Sequence, residues 1–295
     1  MRFPGIIPAL TTPFGRDGAV DHAALERNAS ALLDAGVHGF VATGTMGEAG
    51  SLSAQERRDV IATVVRTAAG RVPVIAGVSA GTPDAAIAFG NDAARAGADA
   101  IMLLPPLGYR GDAREILAFY RTVGEAVGLP LMAYNNPEAS GTDMAPELIA
   151  RIADEVEQVV AVKECSGDAR RIAALLNAAP ALEVLVGGDD WALEGFCAGA
   201  TGWVSGVADI APRDCVALYD ACLAGELETA RGIYRRLLPL SRFDMTPKLV
   251  QYFKAAMDEV GLTGGAVRPP RLELTGPERE ALSAAMAALR QPARA

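Results

Sequence analysis

The sequence predicts an α/β fold, a TIM (β/α)8 barrel with an appended C-terminal helical region, and three observations carry that prediction. Eight short apolar, β-rich runs are spaced along the chain, helical patterns fill the gaps between them, and the strand signal stops at about Gly225. Strands that are apolar throughout, each followed by a helix, belong to a parallel sheet covered by helices. Eight such units in about 220 residues match a closed barrel. A doubly wound sheet is the alternative arrangement of the same units.

The strand runs are, in order, GIIPAL, GFVAT, VPVIAGV, ADAIMLL, LPLMAYN, VVAVKE, LEVLVGG and TGWVSGV. Between them, segments such as AALERNASALLDAG, SAQERRDVIATVVRTA, PDAAIAFGNDAARAG and APELIARIADEV repeat Ala, Leu, Ile and Val at helical spacing. Ser53 with Glu56 has the spacing of a capping box. Past Gly225 come LETARGIYRRLLPLSRF, PKLVQYFKAAMDEVG and GPEREALSAAMAAL, all helical in pattern, the last opened by Thr275 with Glu278 after the Pro-rich RPPRLEL. The expected organisation is a barrel catalytic domain over 1–224 and a helical region over 225–295.

A chain of 295 residues is long enough for one large barrel core. Its 51% hydrophobic residues contain no run of eighteen or more, so no membrane span is expected. The start, MRFPGIIPALTTPF, lacks the pattern of a signal peptide, and the expected location is cytoplasmic. A net charge of -9 with no Lys or Arg run disfavours nucleic acid and anionic lipid, leaving a small molecule as the expected partner. Cys165, Cys197, Cys215 and Cys222 form no C-x-x-C pair and are expected to be reduced. The two histidines, His22 and His38, have no metal-ligand spacing, so no metal and no cofactor are expected.

In a barrel, chemistry sits where the strands end. The sixth run ends VVAVK, and burial there would depress the Lys163 ammonium and free a nucleophilic amine. The alternative is a lysine that snorkels from a strand end. The fifth run ends YNNP, which sets Tyr134 beside Lys163 as a candidate proton donor and acceptor, or as a rim tyrosine satisfied by backbone. The second run ends in the glycine-rich turn TGTMGEAGS. Its exposed backbone amides, with the Thr45 hydroxyl, suit a substrate carboxylate, or the turn is simply tight. GGDD and VSGV bring little-hindered backbone beside the pocket, with Gly188 and Ser205 as candidate contacts, while Asp189 or Asp190 is expected to cap the next helix.

G-T-x-G-E at Gly44 to Glu48, Y-N-x-P at Tyr134 to Pro137 and V-K-E at Val162 to Glu164, with PALTTPF at the start, resemble the dihydrodipicolinate synthase / N-acetylneuraminate lyase family over essentially the whole chain. The resemblance implies a class I aldolase-like barrel, usually a homotetramer or dimer of dimers, that acts on a small 2-oxo acid. It implies that Lys163 forms the imine, that Tyr134 relays protons, and that Thr45 with the Met46 amide binds the carboxylate.

Three features depart from the synthase pattern. Met46 replaces the second threonine of the turn, Gly108 stands where a relay tyrosine is expected with Tyr109 one residue later, and Ala139 replaces the arginine that holds a second carboxylate. Ser140 occupies the serine position of sialic-acid-lyase-like segments. The combination of YNNPxxSGTD, VKECSGDARRI, PKLVQ and RPPRL is most similar to the family's catabolic branch, which implies a 4-hydroxy-1-pyrroline-2-carboxylate deaminase or 2-keto-3-deoxy sugar acid dehydratase. A pyruvate-dependent aldolase or 4-hydroxy-tetrahydrodipicolinate synthase is the alternative, and a non-catalytic 2-oxo acid binding barrel a further one.

Overall fold

Each of the eight apolar runs forms a strand in the computed structural model, which describes residues 2–291. They are β1 (Gly5–Pro8), β2 (Phe40–Ala42), β3 (Val74–Gly77), β4 (Ala100–Leu103), β5 (Leu131–Asn135), β6 (Val159–Glu164), β7 (Glu183–Val186) and β8 (Gly202–Ser205). Nearly every strand residue is buried, because helices cover the outside and side chains fill the inside. All pairings are parallel, and the order runs β1-β8-β7-β6-β5-β4-β3-β2. The two edge strands meet as well, through the parallel bridge Ala9↔Val41 and a 2.9 Å bond from the Leu10 N–H to the Val41 carbonyl. The sheet is therefore a TIM barrel rather than the doubly wound alternative.

The helices that return the chain between strands start where their capping residues stand. Ser53 and Glu56 form the expected reciprocal box on helix Ala54–Ala68, and Asp112 with Glu115 does the same on Ala113–Val127. That second helix buries Ile116, Leu117, Phe119, Tyr120 and Val123, and the Tyr120 hydroxyl donates to the Leu103 carbonyl at 2.7 Å. Among the described residues, no helix is long and apolar enough to cross a membrane.

After residue 224 the chain is helical, as expected: Leu227–Ser241, Leu249–Glu259 and Gly276–Leu289, the last with the Thr275–Glu278 capping box. Helix Leu227–Ser241 packs against helix Pro212–Leu223 on one side and Gly276–Leu289 on the other. The connection between the first two C-terminal helices, residues 242–248, passes back over the mouth of the barrel, where residues 244–247 line it.

Candidate active site

A cavity of about 290 Å³ opens at the C-terminal ends of the strands, its walls supplied by β2, β4, β5, β6 and β8, the turn after β7 and residues 244–247 of the connection. Lys163 and Tyr134 face each other inside it. They are register partners across β5 and β6, both almost fully buried, and Lys163 Nζ lies 4.4 Å from the centroid of the Tyr134 ring. Parallel pairing makes this a consequence of the strand register, since paired residues project to the same face.

Gly187, directly after β7, keeps room for the lysine. A Cβ there would stand 2.9 Å from Lys163 Cγ, 2.7 Å from Cys165 Cβ and 2.6 Å from the Glu164 carbonyl oxygen.

Burial pushes the Lys163 ammonium down, but Tyr134, Cys165 and Asp244 push it up further, and its pKa lies above the ordinary lysine value. The expected depression by burial therefore meets an opposing pull, of which only that of Asp244 is present while Tyr134 and Cys165 are uncharged. Burial also raises Tyr134 to about 12 and Cys165 to about 12. Both are neutral at physiological pH, so Asp244 is the anion that acts on Lys163 there. Asp244 is half-buried at the mouth, and desolvation raises it to about 6.

The turn from Thr43 to Glu48 brings Gly44, Thr45 and Met46 to the cavity wall. It begins and ends on non-glycine residues in the left-handed region, Thr43 at φ 54 and Glu48 at φ 52, a conformation that needs outside support. Three clamps provide it. The Thr43 hydroxyl donates to the Gly77 carbonyl at 3.1 Å, the Thr12 hydroxyl donates to the Gly47 carbonyl at 2.7 Å, and the buried Glu48 carboxylate accepts from Lys254 Nζ at 2.6 Å. Among the described residues, the Thr45 and Met46 amides donate to no backbone carbonyl, so the turn presents free N–H groups beside the cavity.

Of the residues expected at the site, Gly44, Thr45, Met46, Tyr134 and Lys163 come together on this cavity. Four others do not. Tyr109 is 54% exposed and donates to the Glu115 carboxylate at 3.0 Å, because Gly108, at φ 79, turns the chain outward just before it. Ser140 is tied back to its own loop, donating to the Asn136 carbonyl at 2.9 Å and accepting from the Thr142 N–H at 3.1 Å. Gly188 faces the Trp191 indole, leaving Gly187 on the cavity. Ser205 lies between the cavity-lining Val204 and Gly206, so strand alternation turns it outward, where it accepts from the Ala208 N–H at 3.0 Å.

Asp189 does not cap the helix that follows it. Its buried carboxylate accepts from the Trp203 indole N–H at 3.0 Å and from the Gly206 and Val207 amides at 3.2 and 2.7 Å, joining the β7 turn to the end of β8.

Asn136, Cys165, Asp244 and Thr246 also line the cavity and were not expected there. For Asn136 the available signal was Asn-Pro, an N-cap followed by proline at the first helical position. For Asp244 and Thr246 it was the D-M-T-P interruption between two helical patterns.

The chain matches the model of the Dihydrodipicolinate synthetase family over residues 2–289. A 4-hydroxy-tetrahydrodipicolinate synthase from Hyphomonas neptunium is 38% identical over 291 residues, covering 97% of this chain and 98% of its own. Another so named, from Methanopyrus kandleri, is 36% identical over 280 residues, covering 94% and 93%. Among solved structures, a chloride-inhibited dihydrodipicolinate synthase from Acinetobacter baumannii in complex with pyruvate has a TM-score of 0.92 at 32% identity, with 98% of this chain and 99% of that one covered. With this kinship the non-catalytic reading is set aside. The chain belongs to the dihydrodipicolinate synthetase family, whose members are lyases working through a lysine imine.

Proposed function

We propose that Lys163 is the imine-forming lysine and that the substrate is a small 2-oxo acid of the pyruvate type. Its carboxylate would rest on the Thr45–Met46 turn, and the bond made or broken would be carbon–carbon at C3, as in a 4-hydroxy-tetrahydrodipicolinate synthase. The observation that carries this reading is the pairing of Tyr134 with Lys163 in one cavity.

The neutral amine of Lys163 adds to C2 of the 2-oxo acid to give a carbinolamine. Tyr134 donates its phenolic proton to the departing hydroxyl, which leaves as water, and the protonated imine and a phenolate remain. The phenolate then takes a proton from C3, the imine nitrogen accepts the electron pair, and an enamine forms with Tyr134 restored. Carbon at C3 then adds to an aldehyde, whose oxygen takes the Tyr134 proton; water adds to the imine, returns a proton to the phenolate and releases Lys163 as the free amine, and the reverse sequence cleaves the bond. No external acid or base is consumed.

A second reading, elimination or deamination of a hydroxylated 2-oxo acid or its cyclic imine, is favoured by one observation. Lys163 is the only Lys or Arg lining the cavity among the described residues, Ala139 fills the place of the expected arginine, and Glu138 and Asp244 stand at the rim. Such walls suit a substrate with one carboxylate and neutral hydroxyls.

The test is intact mass and peptide mapping after borohydride treatment with pyruvate, followed by product analysis. A pyruvate-sized adduct on Lys163 supports the imine. Condensation of pyruvate with an amino-acid semialdehyde to 4-hydroxy-tetrahydrodipicolinate supports the first reading. Turnover of 4-hydroxy-1-pyrroline-2-carboxylate or a 2-keto-3-deoxy sugar acid without that condensation supports the second. We also propose, on the family resemblance, that residues 1–224 carry the chemistry with 225–295 walling it, and that the protein works as a cytoplasmic homotetramer, which sedimentation analysis would check.

A further inference from the structure

The side chain of Asn136 has one orientation open to it. Its Oδ1 accepts from the Ala139 N–H at 3.0 Å, and because a backbone amide only donates, the atom facing it must be the carbonyl oxygen. The Nδ2 group therefore points the other way, where it donates to the Tyr134 hydroxyl oxygen at 2.8 Å and reaches Cys165 Sγ at 3.6 Å. Asn136 is half-buried, lines the cavity and caps the short helix Pro137–Ser140 that anchors it.

We infer that Asn136 is a positioning residue for the proton steps at Tyr134, supplying in this chain a side-chain donor to the phenol oxygen that neither Met46 nor Tyr109 provides. The inference rests on the imine reading of Lys163. The Met46 side chain has no hydroxyl, and the Tyr109 hydroxyl of the same chain is engaged with Glu115. With Asn136 donating into one lone pair of the Tyr134 oxygen, the phenolic proton is left to point elsewhere. When that proton has been given up, the same N–H meets a phenolate, and a hydrogen bond to a charged acceptor is roughly twice as strong as one to a neutral acceptor. The donor thus favours the transient phenolate over the resting phenol, in keeping with its lowering effect on the Tyr134 pKa. Cys165, protonated at neutral pH, competes only weakly for the second N–H.

The experiment uses pyruvate alone, so it does not depend on the identity of the second substrate. Exchange of the pyruvate methyl protons for deuterium, followed by proton NMR, reads proton transfer at C3, and borohydride trapping reads imine formation. Asn136→Asp keeps the helix-capping oxygen and puts an acceptor where the amide donor was, and Asn136→Ser keeps a capping oxygen on a side chain too short to cap Ala139 and reach the Tyr134 hydroxyl together. In each, a Lys163 adduct should still accumulate while methyl exchange slows by about tenfold or more. In a Tyr134→Phe background the Asn136 substitution should cause no further loss, because its effect passes through the phenol oxygen. Wild-type exchange in the Asn136 variants, or the same fold loss in both backgrounds, would overturn the inference and leave the imine reading intact. A wild-type protein that forms no adduct and exchanges no methyl protons would overturn both.

Discussion

Tyr134 and Lys163 are paired residues of adjacent parallel strands, with the Lys163 Nζ 4.4 Å from the centroid of the Tyr134 ring. The ring packs under the cation, while the hydroxyl is the group that can move protons. Tyr134→Phe separates the two roles, since it keeps the ring and its cation contact and removes only the oxygen. The expected outcome is a fall in turnover of about 10²- to 10⁴-fold, with a trappable Lys163 adduct and little change in melting temperature. Steady-state kinetics beside borohydride mass spectrometry checks it. Unchanged turnover would remove Tyr134 from the proton chemistry.

Gly187→Ala tests the space around the lysine. The added Cβ falls 2.6 Å from a backbone carbonyl oxygen and 2.9 Å from Lys163 Cγ, and the backbone atom cannot swing aside as a flexible side-chain tip would. The lysine or the β7 turn must shift, and a displacement of about 1 Å at a reacting group costs roughly 10²-fold in rate. Stopped trapping at short times measures the rate of imine formation. A wild-type rate would mean that the turn relaxes away from Lys163.

The barrel was legible in the sequence because strand and helix signals are local. All eight apolar runs, the Ser53–Glu56 and Thr275–Glu278 capping boxes and the three C-terminal helices stand where pattern alone placed them. The Tyr134–Lys163 meeting was legible too, since both end neighbouring strands. Ser205 and Gly188 went astray because a strand end was treated as a point, whereas alternation sends successive residues to opposite faces. Tyr109 was misplaced by a loop whose direction depends on the left-handed Gly108. Asp244 lies 81 residues beyond Lys163 in number, and no local signal marks a connection that returns over the barrel mouth.

The buried pair of Glu48 and Lys254 ties the substrate turn to the C-terminal helix Leu249–Glu259. Lys254 also donates to the Ala266 carbonyl at 2.7 Å, and Arg271 approaches the Glu48 carboxylate at 3.6 Å. Removing one partner leaves a buried charge, so Lys254→Met should cost about 3 to 5 kcal/mol of stability. Replacing both, as Glu48→Gln with Lys254→Met, should cost less than the single lysine change. Urea unfolding of the two variants and the wild type provides the comparison. A double variant less stable than Lys254→Met would mean that the pair is not the source of the coupling.

Asp244 sets a pH dependence whose sign can be stated. Its carboxyl is raised by burial to about 6 from 3.8, so the folded protein favours the protonated form. The resulting stabilisation is fully present below about pH 4 and is lost as the pH rises through about 6. The gap corresponds to at most about 3 kcal/mol, reduced where solvent in the cavity screens the group. Asp244→Asn escapes this loss, so its melting temperature relative to wild type should be higher at pH 8 than at pH 4. The same change removes the anion that raises Lys163 at neutral pH, so more free amine should be present and the acidic limb of imine formation should move to lower pH. Trapping rates across the pH range measure this second effect independently of stability. An acidic limb that stays in place would show that Asp244 does not hold the proton on Lys163.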